Sequence, residues 1–196
     1  MLKNHRFIKV KSIISYSIAI STIFVLLPCI SCQKESGWSA DGVISTNEYA
    51  NTKTLSEGKY DLYWNTDSNY IYIGINVKTK GFLAIGFNPS GSMLNSDVIF
   101  GWVKDGEGYI YDMYITDYSG NHSQDTILGG TDDILEYGIA ESDGYTTMEF
   151  KRAINTGDKY DYPVSVGSVN KIVWSYGNSD DSSNIHIERG VDTITF

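Results

Sequence analysis

Two side chains in this 196-residue chain have the chemistry to hold a soft metal centre between them. Met93 lies in Ser90-Gly91-Ser92-Met93-Leu94-Asn95-Ser96-Asp97, a polar stretch directly before an apolar run. Packing alone gives little reason for a methionine there, although methionine does fill irregular gaps. His186 stands similarly before the last apolar run, in Asn184-Ile185-His186-Ile187-Glu188-Arg189-Gly190. A thioether and an imidazole are the axial pair of many electron-transfer haems, where the sulfur favours reduced iron and raises the potential. Taken by themselves, a core-capping methionine and a surface histidine are the simpler account.

Other chemistries find less support. His122, in Ser119-Gly120-Asn121-His122-Ser123, reads as a solvated loop residue. Two histidines far apart make a poor zinc set, because structural zinc takes four nitrogen or sulfur ligands. No serine sits in a Gly-x-Ser-x-Gly elbow. Acidic pairs such as Asp132-Asp133 and Asp180-Asp181 read as solvated loops, and a glycosidase would need two carboxylates facing across a cleft. Cys29-x-x-Cys32 has redox or metal spacing. It lies inside an apolar segment, however, and Gln33 stands where a covalent haem site needs histidine.

That segment has the order of an export signal. Lys3, Arg6, Lys9 and Lys11 come first, then an apolar run over residues 18–30, then Ser31-Cys32. The run is short of the roughly 20 residues a spanning helix needs. Leu26-Leu27-Pro28-Cys29-Ile30-Ser31-Cys32 is similar to a bacterial lipobox, with Cys29 where that motif usually has leucine. The expectation is a signal peptide over 1–31, cleavage before a lipidated Cys32, a tether over 32–37 and one domain over 38–196. Lipidation would place the protein on a membrane of the cell envelope, since several acyl chains give stable anchoring.

Residues 1–31 hold four of the fifteen Lys and Arg and no acids, leaving eleven basic against twenty-four acidic side chains. Such a balance argues against nucleic acid, whose phosphates are bound by Lys and Arg, and it can steer a basic partner. The remainder is one domain's worth, large enough to bury a core without disulfides.

Stepping along that domain, short aromatic and β-branched runs alternate with Gly, Asn, Asp and Ser. Strands are predicted over Tyr60–Thr66, Tyr70–Val77, Phe82–Phe87, Val98–Val103, Tyr109–Thr116, Thr146–Arg152, Lys171–Tyr176 and Val191–Phe196. Turn signals fall between them, among them Asp67-Ser68-Asn69, Asp105-Gly106 and Asp143-Gly144. No run reads as a helix of ten residues or more. The fold class is all-β, an antiparallel sandwich of immunoglobulin-like kind, with a barrel as the other closed solution.

In this setting the domain resembles a DOMON domain over nearly all of residues 38–196. Asp41-Gly42-Val43-Ile44 with Glu48-Tyr49 is similar to the start of prokaryotic members. Gly81-Phe82-Leu83-Ala84-Ile85-Gly86-Phe87 resembles the family's Gly-Trp-x-Ala-Ile-Gly-Phe strand, with Phe82 in place of Trp. Met93 through Asp97-Val98 matches a Met-x-x-x-Asp-Val stretch. Tyr111-Asp112, Gln124-Asp125, Gly129-Gly130-Thr131-Asp132-Asp133 and Glu149-Phe150-Lys151-Arg152 follow in order, and His186-Ile187-Glu188-Arg189-Gly190 resembles a closing His-x-x-Arg-Gly.

The resemblance implies that Met93 and His186 are axial ligands of a non-covalent b-type haem, as in the haem-binding branch of that family. A saturated iron favours electron transfer to a partner protein over catalysis, so an enzyme is not expected. The sandwich would supply an apolar pocket, with Phe87, Phe100, Trp102 and Trp174 as candidate walls and Arg189 as a partner for a haem propionate. Ordinary core is the simpler account of each of these four aromatics, and a surface ion pair serves equally well for Arg189. Two other readings stay open. Some members of the family are thought to bind sugars, and exposed aromatics such as Trp38 and Trp64 could stack on a pyranose ring. A structural lipoprotein without a ligand is the third.

Overall fold

The computed structural model describes residues 37–196, apart from positions 89, 118 and 120. The export signal, Cys29, Cys32 and all but the last residue of the tether lie outside the described residues. Among these, the chain forms β1 (Asn51–Leu55), β2 (Tyr60–Thr66), β3 (Tyr70–Val77), β4 (Leu83–Phe87), β5 (Asp97–Lys104) and β6 (Glu107–Ile115). It continues with β7 (His122–Gln124), the single turn α1 (Asp125–Leu128), β8 (Ile134–Ser142), β9 (Tyr145–Ala153), β10 (Val169–Tyr176) and β11 (Glu188–Thr195). The strands make two antiparallel sheets, one ordered β1-β2-β3-β9-β8 and the other β11-β10-β4-β5-β6-β7.

All eight expected strands are present within a few residues of their predicted ends. β1, β7 and β8 are not legible in the sequence, for a common reason. Each lies at the edge of a sheet and has few buried side chains, so neither alternation nor an apolar run marks it. The turns follow local chemistry. Asp67 Oδ1 accepts from the amides of Asn69 (2.7 Å) and Tyr70 (2.8 Å), closing the β2–β3 hairpin. Asp105-Gly106 and Asp143-Gly144 both have positive φ at each residue, the type I′ geometry whose twist suits a two-residue hairpin.

The core lies between the sheets. Alternate residues of β2, β3 and β9 (Leu62, Ile73, Phe150) meet Leu83, Ile85 and Ile99 of the facing sheet, all fully buried. Trp64 belongs here, its indole N–H donating to the Thr195 carbonyl at 3.0 Å. It is 7% exposed, which corrects the expectation of a surface stacking platform. Trp38 is half-buried and edge-on to Tyr72 at 4.9 Å.

The outer faces of the two sheets differ. On the first, the Gly74 and Gly138 positions leave a hollow that residues 38–50 fill. A Cβ at Gly138 would lie 2.4 Å from the Ala40 carbonyl oxygen, and one at Gly74 2.6 Å from Ile44 Cδ1. Glu149 ties this strap down, accepting from the amides of Asp41 (3.2 Å), Gly42 (2.9 Å) and Val43 (3.2 Å) and from the Tyr49 hydroxyl (2.8 Å). On the second sheet, the outward face carries its own apolar cluster of Phe82, Ala84, Val98, Phe100, Trp102, Met113 and Ile115. A solvated sheet face would alternate to polar residues. This one does not, and the site lies on it.

Candidate functional site

β4 and β5 build the floor. Along β4, Leu83, Ile85 and Phe87 point into the core, so Ala84 and Gly86 are the outward positions. Their small size sinks the floor between Val173 of β10 and Val98 and Phe100 of β5, which pair with them. A Cβ at Gly86 would already meet Val173 Cγ2 at 2.7 Å. The result is a cleft of about 990 Å³, lined at depth by Phe82, Ala84, Val98, Phe100 and Ile115 and at its mouth by serine, asparagine and Arg189.

Two loops bring donors over this floor. The loop between β4 and β5 carries Met93 and is organised by Asn88, which is 2% exposed. The Asn88 amide nitrogen donates to the carbonyls of Ser92 (2.9 Å) and Leu94 (3.0 Å), and its oxygen accepts from the Ser90 amide at 2.8 Å. Ser96 Oγ donates to the Ser92 carbonyl at 2.7 Å, closing the loop around Met93, whose side chain packs on the outer apolar cluster. The loop between β10 and β11 carries His186 and is anchored by the Ile187 amide donating to the Tyr176 carbonyl at 2.8 Å.

Met93 and His186, 93 positions apart in the chain, line the same cleft. Their donor atoms converge on one cationic nitrogen: Arg189 Nη1 is 3.8 Å from Met93 Sδ and 3.4 Å from His186 Nε2. The two donor atoms are therefore no further apart than the sum of those contacts. A guanidinium has only donors, so in this contact Nε2 accepts and the imidazole is neutral. Burial, with the Arg189 charge beside it, also holds His186 below the ordinary imidazole range. A sulfur lone pair and an imidazole lone pair thus face a common point occupied by positive charge.

The other expected residues are distributed between the two sides of the sheet. Phe100 lines the cleft, 4.6 Å from the Phe82 ring. Trp174 borders the cleft, while its ring packs against Tyr60 at 5.3 Å and across Gly190. Trp102 lies beside Tyr109 and Tyr111 in the outer cluster and is not among the lining residues. Phe87 faces the core, 6.1 Å from Phe196.

Sequence reading did not single out Phe82 as a wall, nor the Ala84/Gly86 hollow. It also took His122 for a solvated loop residue. His122 instead begins β7, lines the cleft and stacks on Phe100 at 5.0 Å with 15° between the planes. The signal for the hollow was the alternation in Leu83-Ala84-Ile85-Gly86-Phe87, large inward and small outward. His122 gave none, because a three-residue edge strand has no pattern of its own.

Fold and site together define a two-sheet β-sandwich that bears a ligand-sized cleft on the outside of one sheet. The chain belongs to the DOMON domain family, whose pattern it matches over residues 56–177. It is similar to DBH-like monooxygenase protein 1 of Homo sapiens, 33% identical over 125 residues, which are 64% of this chain and 19% of that protein. It is likewise similar to MOXD1 homolog 1 of Drosophila melanogaster, 32% identical over 130 residues, 64% of this chain and 18% of that protein. The chain thus spans about a fifth of the length of these relatives. In structure it is similar to the cytochrome b domain of pyranose dehydrogenase from Coprinopsis cinerea, with a TM-score of 0.54 and 12% identity over 73% of this chain and 80% of that one. The cytochrome domain of Myriococcum thermophilum cellobiose dehydrogenase gives 0.51 and 13% at the same coverage. At such identities the likeness is one of fold.

Proposed function

We propose that this DOMON domain binds a b-type haem non-covalently in the outer cleft, with Met93 and His186 as axial ligands, and passes electrons to a partner protein. The observation that carries the proposal is the convergence of Met93 Sδ and neutral His186 Nε2 on one positive charge above an apolar floor. That donor set fits a haem iron, for which thioether and imidazole are a recurrent pair. Bound there, the haem would supply a one-electron couple. Phe82, Phe100 and Val98 would exclude water from its face. Arg189 would leave the position between the ligands and pair with a propionate at the mouth, where its planar fork suits a carboxylate. The similar solved cytochrome domains support this reading by their fold.

With Met93 and His186 both holding the iron, the domain would act as a carrier and not by itself as an enzyme. We propose further that it is exported and lipidated at Cys32, which would set the cleft near a membrane of the cell envelope and within reach of a redox partner. Recording oxidised and reduced absorption spectra of the haem-reconstituted protein tests the haem. A low-spin spectrum lost in Met93→Ala and in His186→Ala is expected; a protein that stays colourless on haem titration overturns the reading. Mass spectrometry of the mature N-terminus tests the anchor, an unmodified Cys32 being the adverse result.

A second reading has an observation of its own. Ser119, Asn121, Ser182, Ser183 and Asn184 ring the mouth of a cleft with an aromatic floor, which suits a sugar as well as a propionate. Binding on a glycan panel that survives Met93→Ala, together with no haem uptake, would establish it.

A further inference from the structure

The inward side of the same sheet, opposite the cleft, carries a group of charges that the haem reading does not use. Asp97 opens β5, Asp112 lies in β6 opposite Ile99, Asp125 begins α1, and Asp161 comes from the connection between β9 and β10. Asp97, Asp112 and Asp125 are 0%, 3% and 0% exposed, and the Asp161 side chain 2%. One cation answers them. Arg152 of β9, itself fully buried, reaches Asp97 Oδ2 at 2.7 Å and Asp161 Oδ1 at 3.6 Å. Four buried carboxylates against one guanidinium leave a large uncompensated negative charge, and an unpaired charge is the costliest thing a protein can bury.

The hydrogen bonds do not remove that cost. Asp97 Oδ2 also accepts from the Tyr162 amide at 3.1 Å, and Asp112 Oδ2 from the Asp133 amide at 3.0 Å. The second oxygen of each has no hydrogen-bond partner, nor has either oxygen of Asp125, while Asp161 has only the Thr156 hydroxyl and the Arg152 guanidinium beside it. One carboxylate oxygen from each of Asp97, Asp112 and Asp161 can be chosen so that all lie within 4.8 Å of one another. That spacing is what a cation with oxygen ligands at about 2.3 to 2.6 Å requires.

Protons are the other way to relieve the charge. Burial pushes the carboxyls of Asp97, Asp125 and Asp112 up to about 6, about 7 and about 9. Each proton added would itself need an acceptor, and the oxygens concerned make no hydrogen bonds in either sense. A cation satisfies them without that demand.

We propose that Asp97, Asp112 and Asp161, with Asp125 beside them, form a divalent cation site for which calcium is the fitting ion. A set of carboxylate oxygens alone suits a hard cation better than zinc or copper, which favour imidazole or thiolate ligands. Ligands from two strands and a long connection are irregularly disposed, which calcium tolerates and octahedral magnesium does not. Asp97 also ends the loop that carries Met93, so the ion would brace the base of that loop. The site does not depend on haem being the ligand of the cleft.

The test is thermal melting of the full-length protein after EDTA treatment, titrated with CaCl2 or MgCl2 at neutral pH, with and without haem. At calcium about a hundredfold above its dissociation constant, Tm is expected to rise by roughly 5 to 10 °C. Terbium, as a calcium probe, should give luminescence sensitised by nearby Tyr160 and Tyr162 and displaced by calcium. Asp125→Asn and Asp161→Asn should each weaken the calcium response at least tenfold, and Asp125→Asn should melt no lower than wild type in EDTA, because it removes a buried charge that Arg152 does not reach. No Tm response to 10 mM calcium would overturn the proposal, as would an equal response in wild type and both variants. A response to magnesium but not calcium would overturn the choice of ion.

Discussion

Both sheets are hollowed on their outer faces by small residues, and the two hollows meet opposite fates. Under the strap of residues 38–50, Gly74 and Gly138 make room that the chain's own backbone occupies, with Glu149 gathering the strap's amides. Over β4, Ala84 and Gly86 make room that the described residues leave as a cleft. Close packing is the rule in protein interiors, and large voids are few. An apolar hollow is therefore either filled by the molecule itself or kept for something else. The two loops over the second hollow present donor atoms, a thioether and an imidazole, where the first hollow receives a peptide segment.

The sharpest way to break this contrast is to remove those donors. Met93→Ala and His186→Ala should each abolish the low-spin spectrum of the haem-loaded protein. Unfolding of the ligand-free protein should change by no more than about 1 kcal/mol, since both residues are only half-buried. Equal loss of folding and of ligand would mean that the outer cluster is a core that happens to be open. Filling the hollows comes next in size. Gly138→Val must displace Ala40 and should cost about 1 to 3 kcal/mol in urea unfolding, with a change in Trp38 fluorescence as the strap lifts. Ala84→Leu should cost about 1 kcal/mol or more, because Ala84 is 3% exposed within the outer cluster, and its added carbons should lower haem uptake severalfold by filling the cleft floor. If Ala84→Leu binds haem normally, the cleft is not the ligand's seat.

How much of this was legible depended on how many residues carried each feature. The central strands repeat their alternation over five to nine residues and were found; edge strands such as Asn51–Leu55 carry one buried residue and were not. The donors Met93 and His186 could be named from type and setting, together with the order of motifs, but their convergence is a product of two loops and no local pattern encodes it. The walls were read as aromatics, and the structure divides those between the two faces of one sheet, Phe100 outward and Phe87 inward. The buried carboxylates escaped because Asp97, Asp112, Asp125 and Asp161 are isolated in sequence. The conspicuous pair Asp132-Asp133 lies at the surface, only the Asp133 amide touching the group.

The smallest effect sharpens the filled hollow. Burial pushes the Glu149 carboxyl from 4.5 up to about 7, against the pull of the Tyr49 hydroxyl and the strap amides, which favour the ionised form. The folded protein then holds a proton that the unfolded chain releases at lower pH. Its contribution to stability is complete below about 4.5 and is lost as pH rises through about 7, because the folded state binds more protons in that window. The buried aspartates titrate in the same sense, so wild type alone cannot isolate the effect. Glu149→Gln can: its amide oxygen still accepts from the strap, and it does not titrate. Its stability relative to wild type should therefore rise between pH 5 and 8 by about 1 to 3 kcal/mol, measured by urea unfolding in saturating calcium. If the two proteins keep a constant difference across that range, Glu149 is already ionised when the strap is down. The strap would then be held by a full carboxylate, and the filled hollow would be the more polar of the two.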